Sequence, residues 1–138
     1  MKTLYTATAT ATGDGRNGHV ASDDGILDTD VRIPTAMGGA GGATNPEQLF
    51  AAGYAACFHS ALKVVAQRDG YDVTGTEVSA SVGTGMLDNG GFGLEVQLDV
   101  HAPAMDQATA EAAVAKAHEV CPYSNATRGN VEVTLSVV

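Results

Sequence analysis

Alternation opens the chain. Residues 3–12 (TLYTATATAT) place polar and apolar positions two apart, the period of a strand, and GDGRNG at 13–18 is a dense run of turn residues, so a hairpin is expected. Strand-like pieces follow at 19–22 and 25–33, the second ending at Pro34. The stretch AMGGAGGAT at 36–44 is a glycine-rich loop without the GK[ST] ending of a phosphate-binding loop. The period then becomes helical: Leu49/Phe50, Gly53/Tyr54, Cys57/Phe58, Ala61/Leu62 and Val64/Val65 recur on one face. Asn45 suits the N-cap, Pro46 the first helical position and Glu47 the positive end of the dipole; Gln48 completes a capping-box-like pattern, and Gly70 is the stop. Residues 76–84 and 92–102 alternate as a second hairpin about the turn DNGG at 88–91, and Pro103 ends it. Asp106 caps a helix of 107–119 with a narrow stripe of Ala110, Ala113, Val114 and Ala117, which stops at Cys121-Pro122 because the residue before proline avoids the α region. VEVTLSVV at 131–138 is a closing strand. There is no internal repeat or linker, and the length fits one domain over 1–138.

Composition adds a constraint on assembly. Leu, Ile, Val and Phe supply only 28 of 138 residues while alanine supplies 23. Small side chains pack closely but bury little area each, so a subunit of this kind is expected to complete its core against a copy of itself. Sixteen Asp and Glu against seven Lys and Arg give a net charge of −9, which argues against nucleic acid or an anionic membrane surface as partner. No stretch is expected to reach the ~20 apolar residues of a membrane span, and the start MKTLYTATAT lacks the apolar region of a signal peptide. A soluble, cytoplasmic chain is the expectation.

The candidate chemistry centres on two cysteines, Cys57 and Cys121, 64 positions apart and without CxxC spacing. In a reducing compartment they are either inert thiols or a working pair. A buried helical cysteine is ordinarily a small hydrophobe. Here Cys57 lies in the small-residue run AAGYAACF, which leaves room beside it, and Cys121 stands at a helix end beside a proline, where it can be presented to a neighbour. Zinc is the competing chemistry, since Cys57, His59, His118 and Cys121 are all zinc-type ligands. Cys57 and His59 point roughly 200° apart on one helix, so a closed site would require a break in its middle. His19 and His101 read as solvent-facing.

Arg16, in the glycine turn, has two readings: a solvated charge paired with Asp14, or a guanidinium on a mobile loop that favours a thiolate and stabilises charge on a departing oxygen. Glu47 caps the dipole in the first reading and holds the guanidinium in the second. Ten residues of unbroken helix separate Glu47 from Cys57 by about 15 Å along the axis. Three arrangements would reconcile them: a bend near Gly53, a Glu47 set back in the loop, or a carboxylate supplied by the partner subunit, which the thin core favours.

The segments TNPEQLFAAGYAACFHSAL (44–62), GGFGLEVQLDV (90–100), AHEVCPYSNATRGN (117–130) and the N-terminal GRNG together resemble the organic hydroperoxide resistance (Ohr) family of the OsmC-like superfamily over nearly the whole chain. VCPYSNATRGN is similar to the Ohr branch rather than to the osmotically inducible one. The resemblance implies an α+β fold of antiparallel sheets wrapped around two central helices in an intertwined homodimer, with sites at the subunit interface. It implies a cysteine peroxidase for organic hydroperoxides without haem or metal. Position by position, Cys57 matches the peroxidatic cysteine, Cys121 the resolving one with which it forms a disulfide, Arg16 the loop arginine and Glu47 its carboxylate partner. Asp14 is a competing carboxylate for Arg16. A lipoylated protein or dihydrolipoamide is the implied reductant. Phe50, Tyr54, Phe58 and Phe92 are either core residues or the wall of an alkyl or fatty-acid hydroperoxide pocket. The alternatives are a peroxidase of the osmotically inducible branch with broader specificity, and a non-enzymatic oxidant-sensing or ligand-binding module.

Overall fold

A computed structural model describes all 138 residues. It has six strands and three helices, the strands forming two three-stranded sheets. The chain divides into two compact units, Met1–Leu49 and Phe50–Val138.

In the first unit, β1 (Ala9–Thr12) pairs antiparallel with β2 (His19–Ser22), and β2 with β3 (Asp28–Asp30). The expected hairpin is present and its turn is a single 3-10 turn at Gly15–Asn17. The strands are shorter than the alternation predicts. Residues 3–8 are exposed and outside any strand, and only three residues of 25–33 form β3. Thr and Ala make a pleated surface, but alternation alone does not supply a paired edge.

Helix α1 (Pro46–Asp69) begins as its cap residues dictate: Asn45 Oδ1 accepts from the Gln48 backbone N–H at 2.9 Å. Gln48 departs from the expected capping box, since its side-chain oxygen accepts from the Thr44 hydroxyl at 2.9 Å. The helix ends at Gly70, whose φ of 76° is a left-handed value that glycine adopts without strain. Tyr54, Phe58, Ala61, Leu62, Val65 and Ala66 are its buried face. One expectation is corrected here. With 24 residues rich in alanine, α1 is long and apolar enough by length and composition to cross a membrane, and a third of its most apolar stretch is buried inside the protein.

In the second unit, β4 (Glu77–Met86) and β5 (Phe92–His101) form the long hairpin in continuous antiparallel register from Glu77↔His101 to Met86↔Phe92. The last strand, β6 (Glu132–Val137), pairs with β5 in parallel, so this sheet is mixed where antiparallel pairing alone is expected. Helix α2 (Gln107–Val120) is capped by Asp106, which accepts from the Thr109 N–H at 2.8 Å. A third helix follows that the sequence pattern does not reveal: α3 (Pro122–Thr127) starts at once after α2, with Pro122 in its first turn. Proline ends the helix before it because Cys121 is extended (φ −60°, ψ 124°), and the same ring is preorganised for a new first turn. The core joins the inner face of α1 to Val96, Leu98 and Val100 of β5 and the alanine stripe of α2.

Candidate active site

Cys57 lies in the middle of α1, half-buried beside the core, and Cys121 is fully buried at the junction of α2 and α3. Both are free thiols, and the Cys121 Sγ donates toward the Cys57 Sγ at 3.7 Å. A disulfide needs about 2.05 Å, so the two sulfurs are in van der Waals contact and a short movement from bonding. Burial pushes the Cys57 thiol above its ordinary value; the Tyr123 backbone N–H pulls it back, and the Cys121 thiol pushes it up again.

In the first unit, Arg16 sits in the 3-10 turn between β1 and β2, and its guanidinium meets Glu47 in a bidentate pair: Nη1 to Oε2 at 2.8 Å and Nη2 to Oε1 at 2.7 Å. The arginine side chain is 39% exposed and the glutamate 13%. Hydrogen bonding to Glu47 raises the Arg16 pKa, and the reciprocal bond holds Glu47 below the usual carboxylate range. The paired carboxylate is therefore Glu47, and the reading of Arg16 as a charge paired with Asp14 is set aside. The turn is fixed from its far side: Arg32 Nη1 donates to the carbonyls of Gly18 at 3.0 Å and Val31 at 2.6 Å, and Asn17 Oδ1 accepts from the Ile33 N–H at 3.1 Å. Helix α1 is continuous and Glu47 occupies its first turn. The helix is unbroken at Gly53, and Glu47 is not set back in the loop.

The candidate zinc ligands have other partners. His59 Nε2 bonds the Thr76 hydroxyl at 2.9 Å, and His118 Nδ1 bonds the Ser124 hydroxyl at 2.8 Å. Burial lowers both imidazole pKa values. His19, expected to face solvent, keeps a partly exposed side chain and lies between Asp30 (2.8 Å) and Asp28 (2.5 Å), and these carboxylates raise its pKa.

The four aromatic residues do not form one wall. Tyr54 and Phe58 are fully buried core side chains, so they offer no surface within a protomer. Phe50 packs on Tyr54 and Tyr123, with ring centroids 6.1 and 6.0 Å away. Phe92 stands 78% exposed at the far end of the β4–β5 hairpin, opposite Met86.

Sequence reasoning misses Tyr123 and the hydroxyls around it. Gly53 has no Cβ where one would come within 2.9 Å of the Tyr123 hydroxyl, so glycine lets that ring lie against α1. Tyr54 Oη, fully buried, bonds Ser124 Oγ at 3.0 Å and Thr127 Oγ1 at 3.1 Å. The usable signal is a tyrosine on the buried face of a helix, because its hydroxyl must find a partner and SNAT offers two.

Comparison with known proteins shows the family and the fold. Residues 39–136 match the family model for OsmC-like proteins. The chain is 55% identical over 138 residues to an organic hydroperoxide resistance protein of Xanthomonas axonopodis pv. citri, covering 99% of this chain and 96% of that one. It superposes on an organic hydroperoxide resistance protein from Elizabethkingia anophelis with a TM-score of 0.94 at 56% identity, covering 99% and 98% of the two chains. The match to the organic hydroperoxide resistance protein OhrB of Bacillus subtilis has a TM-score of 0.90 at 47% identity, covering 99% and 100%.

Proposed function

Since this chain belongs to the organic hydroperoxide resistance branch of the OsmC-like family, we propose that it acts in organic hydroperoxide resistance as a thiol-dependent peroxidase, reducing alkyl or fatty-acid hydroperoxides to alcohols. The observation that carries the reading is the 3.7 Å approach of Cys121 Sγ to Cys57 Sγ. The sulfenic acid of a lone reactive cysteine stays open to further oxidation, whereas a thiol already in contact can condense with it.

The Cys57 thiolate attacks the terminal oxygen of the hydroperoxide. An S–O bond forms, the O–O bond breaks, and the alkoxide leaves as alcohol after taking a proton, so sulfur becomes a sulfenic acid. The Cys121 sulfur then displaces water from that sulfenic acid and closes the Cys57–Cys121 disulfide. A dithiol of the lipoyl type, as dihydrolipoamide or on a lipoylated protein, returns both thiols and is itself oxidised to its cyclic disulfide. This cycle uses two protein thiols and an external dithiol, and calls on no haem or metal.

Burial disfavours the thiolate at Cys57, and the chain carries a net charge of −9, so a local cation is needed. Arg16 is the proposed one. Glu47 orients its guanidinium, leaving the remaining N–H groups for the thiolate and the departing oxygen. Glu47 lies in the first turn of the chain's longest helix, which continues unbroken through Cys57. In the proposed homodimer, which the low content of large apolar residues favours, the Arg16–Glu47 pair of one protomer serves the thiol of its partner. The cytoplasm, where thiols are kept reduced, suits the cycle.

The test is multi-turnover consumption of cumene hydroperoxide with dihydrolipoamide as reductant. Wild type turns over and Cys57→Ser does not. Sustained turnover by Cys57→Ser would refute the assignment.

A further inference from the structure

We propose that Ser124, with Tyr54, is a positioning residue for disulfide closure: a buried hydrogen-bonded brace that holds the two cysteine-bearing segments in register. The observations are three contacts and their spacing. Ser124 Oγ bonds Tyr54 Oη at 3.0 Å and His118 Nδ1 at 2.8 Å, and Thr127 Oγ1 gives Tyr54 its second partner at 3.1 Å. Tyr54 precedes Cys57 by three residues on α1, His118 precedes Cys121 by three on α2, and Ser124 follows Cys121 by three on α3. Each bonded group therefore sits about one helical turn from a thiol. Tyr54 and Ser124 have no exposed surface, and no buried side-chain polar atom in the protein lacks a partner.

A buried hydroxyl set of this kind is more directional than apolar packing, because each bond has a preferred angle and losing one leaves its partner unsatisfied. Apolar residues of the same size would fill the space and leave α3 free to slide or turn. Arg128 adds a tie at the other end of α3, donating to the His118 carbonyl at 2.6 Å and to Asn125 Oδ1 at 2.7 Å. The segment holding Cys121 is thus tied on both sides, and Cys121 Sγ arrives at van der Waals contact with Cys57 rather than at a random distance. In the proposed cycle, on which this inference rests for its biological use, the brace decides how the Cys57 sulfenic acid divides. Condensation with Cys121 releases water and forms the disulfide; a second hydroperoxide instead adds oxygen to give the irreversible sulfinic acid.

The test has one arm that needs no peroxidase activity. The Cys57–Cys121 disulfide is equilibrated against dithiothreitol of known ratio, which reads the effective concentration of one thiol at the other. Ser124→Ala and Tyr54→Phe are each expected to lower that effective concentration by about fivefold, the equivalent of one hydrogen bond. In the second arm, Ser124→Ala oxidised with excess cumene hydroperoxide gives a larger sulfinic fraction than wild type, while the initial loss of the Cys57 thiol keeps its rate. Should Tyr54→Phe fail to fold, Ser124→Ala carries the first arm alone. A purely structural role would lower thermal stability and leave the dithiothreitol equilibrium where it is in wild type, and that result overturns the proposal. If wild type fails to react with hydroperoxide but the equilibrium still shifts in Ser124→Ala, the peroxidase reading falls and the brace stands.

Discussion

Cys57 and Cys121 are 64 residues apart in sequence and 3.7 Å apart in space, one in the middle of a helix and the other at the joint between two more. The asymmetry of their burial fits the proposed division of labour. Cys57 keeps partial access to solvent while Cys121 has none, so an incoming oxidant meets Cys57 first.

Cys121→Ser is expected to consume one equivalent of hydroperoxide at the wild-type initial rate and then to stall. Without a resolving thiol the Cys57 sulfenic acid persists after that first equivalent, and only further hydroperoxide carries it to sulfinic acid. Peptide mass spectrometry after graded additions of cumene hydroperoxide checks this, and continued turnover with dihydrolipoamide would contradict it.

Arg16→Ala should slow the first step by about 10²-fold or more, the range for removing a preorganised charge from a developing anion. Arg16→Lys keeps the charge but loses the planar fork that matches both oxygens of Glu47, so it should recover only part of the rate. Because Arg16 is a surface turn residue, both variants should retain the far-ultraviolet circular dichroism of wild type.

The pH dependence follows from the thiol. Burial raises the Cys57 pKa, and the reactive form is the deprotonated one, so the rate of the first step rises with pH through that pKa. Arg16→Ala should show its midpoint above the ordinary thiol range, and wild type should show it lower. Stopped-flow measurements across pH settle the order; coincident profiles would remove Arg16 from thiolate stabilisation.

Asn45→Ala should lower stability by about 1 kcal/mol, because it removes the N-cap acceptor of α1. Glu47 is two residues further on, in the first turn that this cap fixes, so the variant should also weaken the pair with Arg16. Chemical denaturation measures the first effect. The second is read from acid titration: Glu47 titrates below the usual carboxylate range, so the stability its pairing adds is present above that range and is lost as pH falls through the depressed pKa. Asn45→Ala should lose it at higher pH than wild type.

Local signals in the sequence reach far where an element is defined by its own residues. Asn45-Pro46 and Gly70 bracket α1, and Asp106 opens α2, as capping chemistry requires. They fail where the deciding contact is distant. Nothing in VEVTLSVV states that β6 lies parallel to β5, and nothing between Arg16 and Glu47 states that 31 residues close into a bidentate pair. Family resemblance points to that pair, whereas the residues alone leave Asp14 open as the partner. Helix α3 is hidden in the sequence because Pro122 reads as an end and not also as a beginning. Phe92 and Tyr54 share an aromatic character, although one is exposed at a hairpin tip and the other buried against Ser124.

In the proposed cycle Cys57 is oxidised first and Cys121 closes on it. This order is tested most directly by rapid quench of wild-type protein with one equivalent of cumene hydroperoxide, trapping sulfenic acid with a dimedone-type reagent and mapping both cysteines by mass spectrometry. A sulfenic adduct on Cys57 alone is expected at early times, giving way to a single Cys57–Cys121 disulfide within one chain. Early oxidation at Cys121, or disulfides only between chains, would contradict it.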